Sequence, residues 1–261
     1  MKPIRLDPNI DEQNLDAIYE QIASFMLELS RIPFGHIGAI SKDATSGEWS
    51  VTGPPLTYDM NEIATVGGCS TNEFPTMMRF DRASDYFTAC AQIFQTHLEE
   101  QRNIAGDDED LALTLCVARH CFPKLIPTYG TIDDAGPFRL FCDDLRPSNM
   151  LIDPRTLRIT ALFDFEFTNA MPAQFAHDVP WWLLLQPPAA WLRDGKKEEF
   201  LRLFEPTKDQ FIRAMEQVEA RSSSSCVVPS LSTQMRDSWD SRRFWFNLAS
   251  RCSFDVDNFY W

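Results

Sequence analysis

The stretch Phe141-Cys-Asp-Asp-Leu-Arg-Pro-Ser-Asn-Met-Leu-Ile-Asp153, followed by Leu162-Phe-Asp-Phe-Glu166, decides how this chain is expected to fold. Apolar runs of strand character border a polar loop, so we expect rigid elements to hold that loop on both sides. Within the loop, Asn149 lies five residues after Asp144. Asp164, in the second stretch, lies 15 residues after Asn149. This order of carboxylate, amide and carboxylate is the layout that phosphoryl transfer needs.

The polar side chains of this loop are candidates for separate roles. Asp144 is the candidate catalytic base, because an attacking hydroxyl must lose its proton. Asn149 and Asp164 are the candidate metal ligands, since Mg²⁺ prefers a few protein oxygens together with phosphate oxygens and water. The fixed charge of Arg146 suits a phosphate, so Arg146, Asn149 and Asp164 form the candidate cofactor site. The structural alternatives are turn formation for Asp144 and Asn149, a strand end for Asp164 and a surface ion pair for Arg146.

These residues resemble the aminoglycoside phosphotransferase family. The stretch from Cys142 to Asp153 is similar to that family's catalytic loop, H-G-D-L-x-x-x-N followed by an apolar strand, and Leu162 to Glu166 resembles its metal-binding I-D-F/W-E segment. The stretch from Thr168 to Trp182 is similar to the residues that come after that segment in the fungal branch of the family. The resemblance implies a protein-kinase-like fold, ATP and Mg²⁺ as cofactors, and transfer of the γ-phosphate to a hydroxylated amine or another small hydroxyl compound.

The chain departs from the family pattern in two places. Cys142 and Asp143 stand where the family has His and Gly. The family's amino-terminal lobe, with a phosphate-covering glycine loop and a strand lysine, has no recognisable counterpart. No GxGxxG occurs among the ten glycines, and Lys42 is the only lysine between Lys2 and Lys124. The resemblance therefore implies a carboxyl lobe whose amino-terminal lobe is largely absent.

We expect residues 1–261 to form one aminoglycoside phosphotransferase-like domain with its catalytic core at about 138–185. Asp178 resembles the aspartate that accepts hydrogen bonds from the catalytic-loop backbone in kinase-like folds, and we expect Trp181 and Trp182 to be packing residues. Enzymatic activity is left open. The alternative is a non-catalytic, pseudokinase-like lobe or a truncated interaction module, and whether another chain supplies the missing lobe is equally open.

Hydrophobic periodicity predicts an α+β protein that is mainly helical. Breaks are expected at Pro206 and at the Ser222 to Ser225 run, and the stretch from residue 53 to about 80 is expected to be an irregular loop. The predicted helices cover about 15–29, 84–101, 109–122, 196–204, 208–221 and 232–250. Strands are predicted at 37–40 and 48–51, as a hairpin, and at 138–141, 150–152 and 159–163, as a small sheet.

Composition limits the class of partner. The 24 basic and 38 acidic residues give a net charge of −14, which argues against nucleic acid or an anionic membrane as a partner. No apolar run is long enough to span a bilayer, and the amino terminus lacks the apolar core of a signal peptide. The seven cysteines are scattered without a CxxC pair, which is typical of a reducing compartment. We therefore expect a cytoplasmic protein, and the family resemblance implies a small-molecule hydroxyl acceptor as its partner.

Overall fold

The computed structural model describes residues 9–70, 74, 79–101, 105–222 and 229–260. About 53% of these described residues are helical, which confirms the predicted α+β, mainly helical class. The helices are α1 (Glu12–Ser30), α2 (Tyr58–Thr65), α3 (Ala83–Glu100), α4 (Glu109–Tyr129), α5 (Ala173–Ala176), α6 (Pro188–Arg193), α7 (Lys197–Arg221), α8 (Leu231–Asp240), α9 (Arg243–Ala249) and α10 (Val256–Tyr260). The strands are β1 (Pro33–Phe34), β2 (Gly38–Lys42), β3 (Trp49–Gly53), β4 (Phe138–Cys142), β5 (Met150–Asp153), β6 (Arg158–Leu162) and β7 (Thr168–Met171).

The strands form two separate antiparallel units. The larger is a five-stranded sheet in the order β1-β4-β7-β2-β3, and the smaller is the β5-β6 hairpin. The single small sheet predicted from residues 138–141, 150–152 and 159–163 is therefore wrong. β4 pairs with β7, where Leu140 lies opposite Ala170, whereas β5 and β6 pair with each other. The predicted hairpin before residue 53 is confirmed as β2 and β3.

The proline at position 206 does not break helix α7. Pro206 is exposed within a helix that runs unbroken from Lys197 to Arg221, so the predicted break there is wrong. An interior proline costs a helix about 3 kcal/mol. Phe204 and Phe211 of this helix are both fully buried. Burial of a large apolar side chain contributes about 1.5–3 kcal/mol, so the two side chains together can offset the cost of the proline.

Other helices also differ from the prediction. The predicted helix 232–250 is two helices, because Arg242 takes a left-handed conformation with φ of 66° between α8 and α9. Helix α4 continues past Phe122 to Tyr129. The supposed irregular loop contains α2, whose eight residues are too few for a periodicity signal. Residues 223–225 of the serine run lie outside the described part of the chain.

Two buried clusters flank the polar loop that follows β4. The first lies between α1, α7 and α8, and it includes Phe211 and, from β6, Ile159. The second lies between α3, α4 and α9, and it includes Phe87 and, from β4, Phe138. The loop at residues 142–149 therefore crosses from one cluster to the other, which fixes both of its ends.

The described helices include none that is long and apolar enough to cross a membrane. The cysteines within the described ranges are free thiols: Cys69, Cys90, Cys116, Cys121, Cys142 and Cys252. Cys226 lies outside those ranges.

Candidate functional site

The candidate loop leaves the sheet at Cys142, the last residue of β4, and is closed by short backbone contacts. The Leu145 amide donates to the Cys142 carbonyl at 3.4 Å, and the Arg146 amide donates to the Asp144 carbonyl at 2.9 Å. Arg146 is extended, as a residue before proline prefers. A single 3₁₀ turn from Pro147 to Asn149 then leads directly into β5.

Three of the predicted site residues contact one another. Asn149, which is buried, donates through Nδ2 to Asp144 Oδ2 at 2.7 Å and to the Asp144 carbonyl at 3.0 Å. Arg146 Nε lies 2.6 Å from Asp144 Oδ1, and its Nη2 donates to Oδ2 at 3.3 Å. The Nε contact lacks hydrogen-bond geometry, so this pair is mainly ionic. The Asp144 carboxylate is thus held between an amide and a guanidinium, with 18% of its side chain exposed.

Asp164 lies at the same end of the β5-β6 hairpin as Asn149. Met150 pairs with Leu162, and the Phe163 amide donates to the Asn149 carbonyl at 3.1 Å. Asp164 is the next residue, exposed and with a φ of 68°. Aspartate is among the few residues that tolerate this left-handed conformation. The hairpin therefore brings together two residues that are separated by 15 positions in the sequence.

The oxygen donors at this end of the hairpin suit Mg²⁺. The Asn149 amide oxygen faces Ser148 Oγ at 3.5 Å, since its nitrogen is bound to Asp144, and the Asp164 carboxylate is exposed. No cluster of three or more His, Cys, Asp or Glu side chains suited to a metal occurs among the described residues. Mg²⁺ is commonly held by one or two protein oxygens and completed by phosphate and water, and Asn149 with Asp164 fits that requirement.

Helix α2 adds a residue that the sequence analysis missed. The ring of Tyr58, its first residue, packs edge-on against Phe167 with centroids 5.5 Å apart. Burial and the Glu62 carboxylate raise the pKa of Tyr58, while Arg146 acts to lower it and Asp144 to raise it. The Tyr58 phenol is therefore within electrostatic range of Arg146 and Asp144 in the loop. Tyr58 is therefore a further candidate for contact with a bound ligand.

The start of helix α2 is tied to strand β7 by two hydrogen bonds and is capped by Thr57. The Leu56 amide donates to Asn169 Oδ1 at 3.2 Å, and Asn169 Nδ2 donates to the Leu56 carbonyl at 2.7 Å. Thr57 Oγ1 accepts from the Met60 amide at 3.2 Å. A threonine in this capping position was the local signal for a helix.

Asp59 of α2 is a buried carboxyl that accepts a hydrogen bond from the Ser253 amide at 2.6 Å. Burial raises its pKa to about 7. As pH rises from about 4 to 7, the unfolded chain loses this proton while the folded chain keeps it, so the stability that the protonated group contributes is lost.

The substitution Asp59→Asn should therefore stabilise the protein at pH 8 but not at pH 4. The amide oxygen of Asn still accepts from Ser253, and a difference of about 3 pH units corresponds to on the order of 2–4 kcal/mol. Urea unfolding of both proteins at several pH values measures the difference. The exposed Asp85→Asn is the matched control, and a difference for Asp59→Asn that does not grow with pH would contradict the prediction.

The outer surface of the hairpin is apolar and exposed. Met150 and Leu162 pack against the first cluster, so alternation directs Leu151 and Phe163 to the opposite face. Leu151, Phe163 and Phe165 are 55%, 45% and 43% exposed. The candidate site therefore lies at an open, partly apolar surface rather than in a closed pocket.

The other side of the loop is tied to Arg251, which follows α9, and to Trp182, which lies between α5 and α6. Arg251 donates through Nη1 to Asp143 Oδ1 at 2.7 Å, and Trp182 Nε1 donates to the Leu145 carbonyl at 2.7 Å. The sequence-based role for Asp178 differs from the observed one: it accepts from Ser238 and Asn247, not from the loop backbone. The physical reason is that the Ser238 hydroxyl and the Asn247 amide already bind the Asp178 carboxylate, while the amides that close the loop donate to carbonyls of the loop itself. Trp182 is buried, as its predicted packing role requires.

The assembled site thus has one carboxylate in contact with an amide and a guanidinium, and a second carboxylate at the same hairpin end. This arrangement can accept a proton, bind a hard cation and contact an anion. Comparison of the chain with protein-family models, with the curated proteins and with the solved structures found no match.

Proposed function

We propose that this protein transfers the γ-phosphate of ATP to a hydroxyl of a small molecule, as a carboxyl lobe of the kind found in aminoglycoside phosphotransferases. The main support is the contact between Asn149 Nδ2 and Asp144 Oδ2 at 2.7 Å. A base and a metal ligand of a phosphotransferase need such proximity. Asp164, at the same end of the hairpin, supplies the third member of the pattern.

Asp144 accepts the proton of the attacking hydroxyl in this proposal. Its carboxylate is oriented by Asn149, whose amide bonds both the side chain and the backbone carbonyl of the same residue. A base held by two such bonds loses little orientational freedom when the acceptor arrives, which is the advantage that positioning gives to catalysis.

The cofactor side of the site consists of Asn149, Asp164 and Arg146. Mg²⁺ held by Asn149 and Asp164 would neutralise charge on the phosphates of ATP. Arg146 pairs with Asp144 at 2.6 Å, so a contact with phosphate requires the guanidinium to share or leave that carboxylate. The 42% exposure of its side chain allows such a movement.

A non-catalytic lobe is the second candidate function, and the open surface favours it. Phe163, Phe165 and Tyr58 are each more than 40% exposed around the loop. Exposed apolar groups of this size are common where another surface binds. In this alternative the loop keeps its geometry, but the chain binds no nucleotide.

Calorimetry with Mg-ATP separates the two candidates. We expect the wild-type chain to bind Mg-ATP and Asp164→Ala to weaken that binding at least about tenfold, because one of two protein ligands of the metal is lost. The control is Asp133→Ala, since Asp133 is likewise exposed and left-handed, with φ of 47°. Alanine is therefore strained similarly at both positions. Absence of binding to the wild type would contradict the phosphotransferase proposal and support the non-catalytic lobe.

A further inference from the structure

We propose that Arg251 is a positioning residue for the candidate base, acting through Asp143. The inference rests on the proposed function, because it assigns a purpose to the orientation of Asp144. Arg251 follows α9 in the chain, 108 residues from its partner Asp143. It thereby links the carboxyl-terminal helices to the loop that holds the site.

The Arg251 guanidinium is enclosed on several sides. Its Cζ atom lies over the rings of Phe141 and Phe175, at 5.1 and 5.2 Å from their centroids, and its Nε donates to the Asn247 carbonyl at 3.2 Å. Only 7% of the side chain is exposed. A guanidinium held by two rings and two hydrogen bonds has essentially one orientation, so the position of the Asp143 carboxylate is set as well.

The electrostatic environment keeps this cation in place. Burial alone would lower the pKa of Arg251, but the carboxylates of Asp143 and Asp178 outweigh burial and raise it. Asp178 is itself buried and accepts from Asn247 at 3.0 Å. The two acidic partners of Arg251, Asp143 and Asp178, belong to different segments of the chain. Breaking a buried ion pair by removing one partner leaves an uncompensated charge, which is strongly unfavourable.

The orientation of Asp144 follows from that of Asp143. Asp143 and Asp144 are the two central residues of the turn that the Leu145 amide closes on the Cys142 carbonyl. Because the two residues share this turn, the ion pair that holds Asp143 on Arg251 also fixes the turn from which Asp144 contacts Arg146 and Asn149. The family pattern has glycine at the position of Asp143. In this chain the aspartate at that position pairs with the buried Arg251. This ion pair fixes the loop at a second point, in addition to the bond from Trp182 to the Leu145 carbonyl.

Amide hydrogen exchange of the loop in the full-length chain tests the proposal without any substrate. Arg251→Met keeps a side chain of similar length between the two rings but removes the charge, and Asp143→Asn removes the charge of the partner. We expect each variant to speed exchange of the Leu145, Arg146 and Asn149 amides by about tenfold or more, because these three amides close the loop. Arg251→Lys should give an intermediate rate.

The double variant distinguishes a specific contact from general loosening. If Arg251 acts through Asp143, the double variant should exchange no faster than either single variant. The matched control is Arg243→Met, since Arg243 is another buried guanidinium in an ion pair, with Asp237 at 2.9 Å. It should leave loop exchange within about twofold of wild type even where it lowers the unfolding midpoint.

Activity supplies a second readout. In the phosphoryl-transfer assay we expect Arg251→Met and Asp143→Asn to lower kcat with KM for ATP nearly unchanged, because neither residue contacts the nucleotide ligands. Loop exchange equal to wild type in both variants, or an equal rise in Arg243→Met, would overturn the positioning role. A wild-type chain without Mg-ATP turnover would refute the proposed function alone, while loop exchange would still decide whether Arg251 and Asp143 order the loop.

Discussion

The substitution Asp144→Asn should lower Mg-ATP-dependent phosphoryl transfer by about 10²–10⁴-fold, the usual contribution of a general base. Asparagine is close in shape to aspartate, and its amide oxygen can still accept from Asn149 Nδ2, which bonds this side chain at 2.7 Å in the wild type. The variant should therefore stay folded and keep its affinity for Mg-ATP. The measurement is release of ADP in the presence of a panel of hydroxylated amines and other small alcohols.

The control for this experiment is Asp153→Asn. Asp153 lies at the opposite end of β5 and accepts from the Arg155 amide at 2.9 Å, so it shares the hairpin but not the site. Equal ADP release by the wild type and Asp144→Asn would exclude Asp144 as the base. Loss of release in the Asp153→Asn control would show that the assay reports hairpin stability instead.

The substitution Phe87→Ala should lower the free energy of unfolding by about 3–5 kcal/mol, as is usual for a buried phenylalanine. Phe87 is fully buried in α3, and its ring lies 4.9 Å from that of Phe246 and 5.8 Å from that of Phe175. Removal of the ring leaves a cavity where α3, α5 and α9 meet. Urea unfolding followed by circular dichroism measures the change.

Phe165→Ala is the matched control for the core substitution. Phe165 is 43% exposed next to Asp164, so its loss should change stability by no more than about 0.5 kcal/mol. A similar loss of stability in both variants would contradict the assignment of Phe87 to the core. Weaker Mg-ATP binding by Phe165→Ala, without loss of stability, would point to a ligand contact at the exposed surface.

The sequence was most informative where a function depends on residues close together in the chain. The spacing of Asp144 and Asn149 predicted a common site, and their side chains are in contact. Two residues separated by only five positions can be brought together by a single turn. Asp164 was predicted from its spacing, 15 residues after Asn149, and the pairing of Met150 with Leu162 places it at the same end of the β5-β6 hairpin as Asn149.

The sequence was least informative where partners are distant or an element is short. β7 has the sequence Thr-Asn-Ala-Met, with little strand character, and it forms because β4 and β2 pair with it on either side. The pairing of Arg251 with Asp143 spans 108 positions, and no local pattern indicates it. Tyr58 was missed for the same reason, because its position depends on where α2 packs.

Two of the segments in which the chain crosses between the two buried clusters are residues 142–149 and 163–167, and both contain predicted site residues. The spacing between the Asp144 side and the Asp164 side of the site is therefore set by how the two halves of the interior are packed together. Substitutions in either buried cluster, far from any ligand, would change that spacing. Natural variation could tune such a site from within, without altering a single residue that touches the ligand.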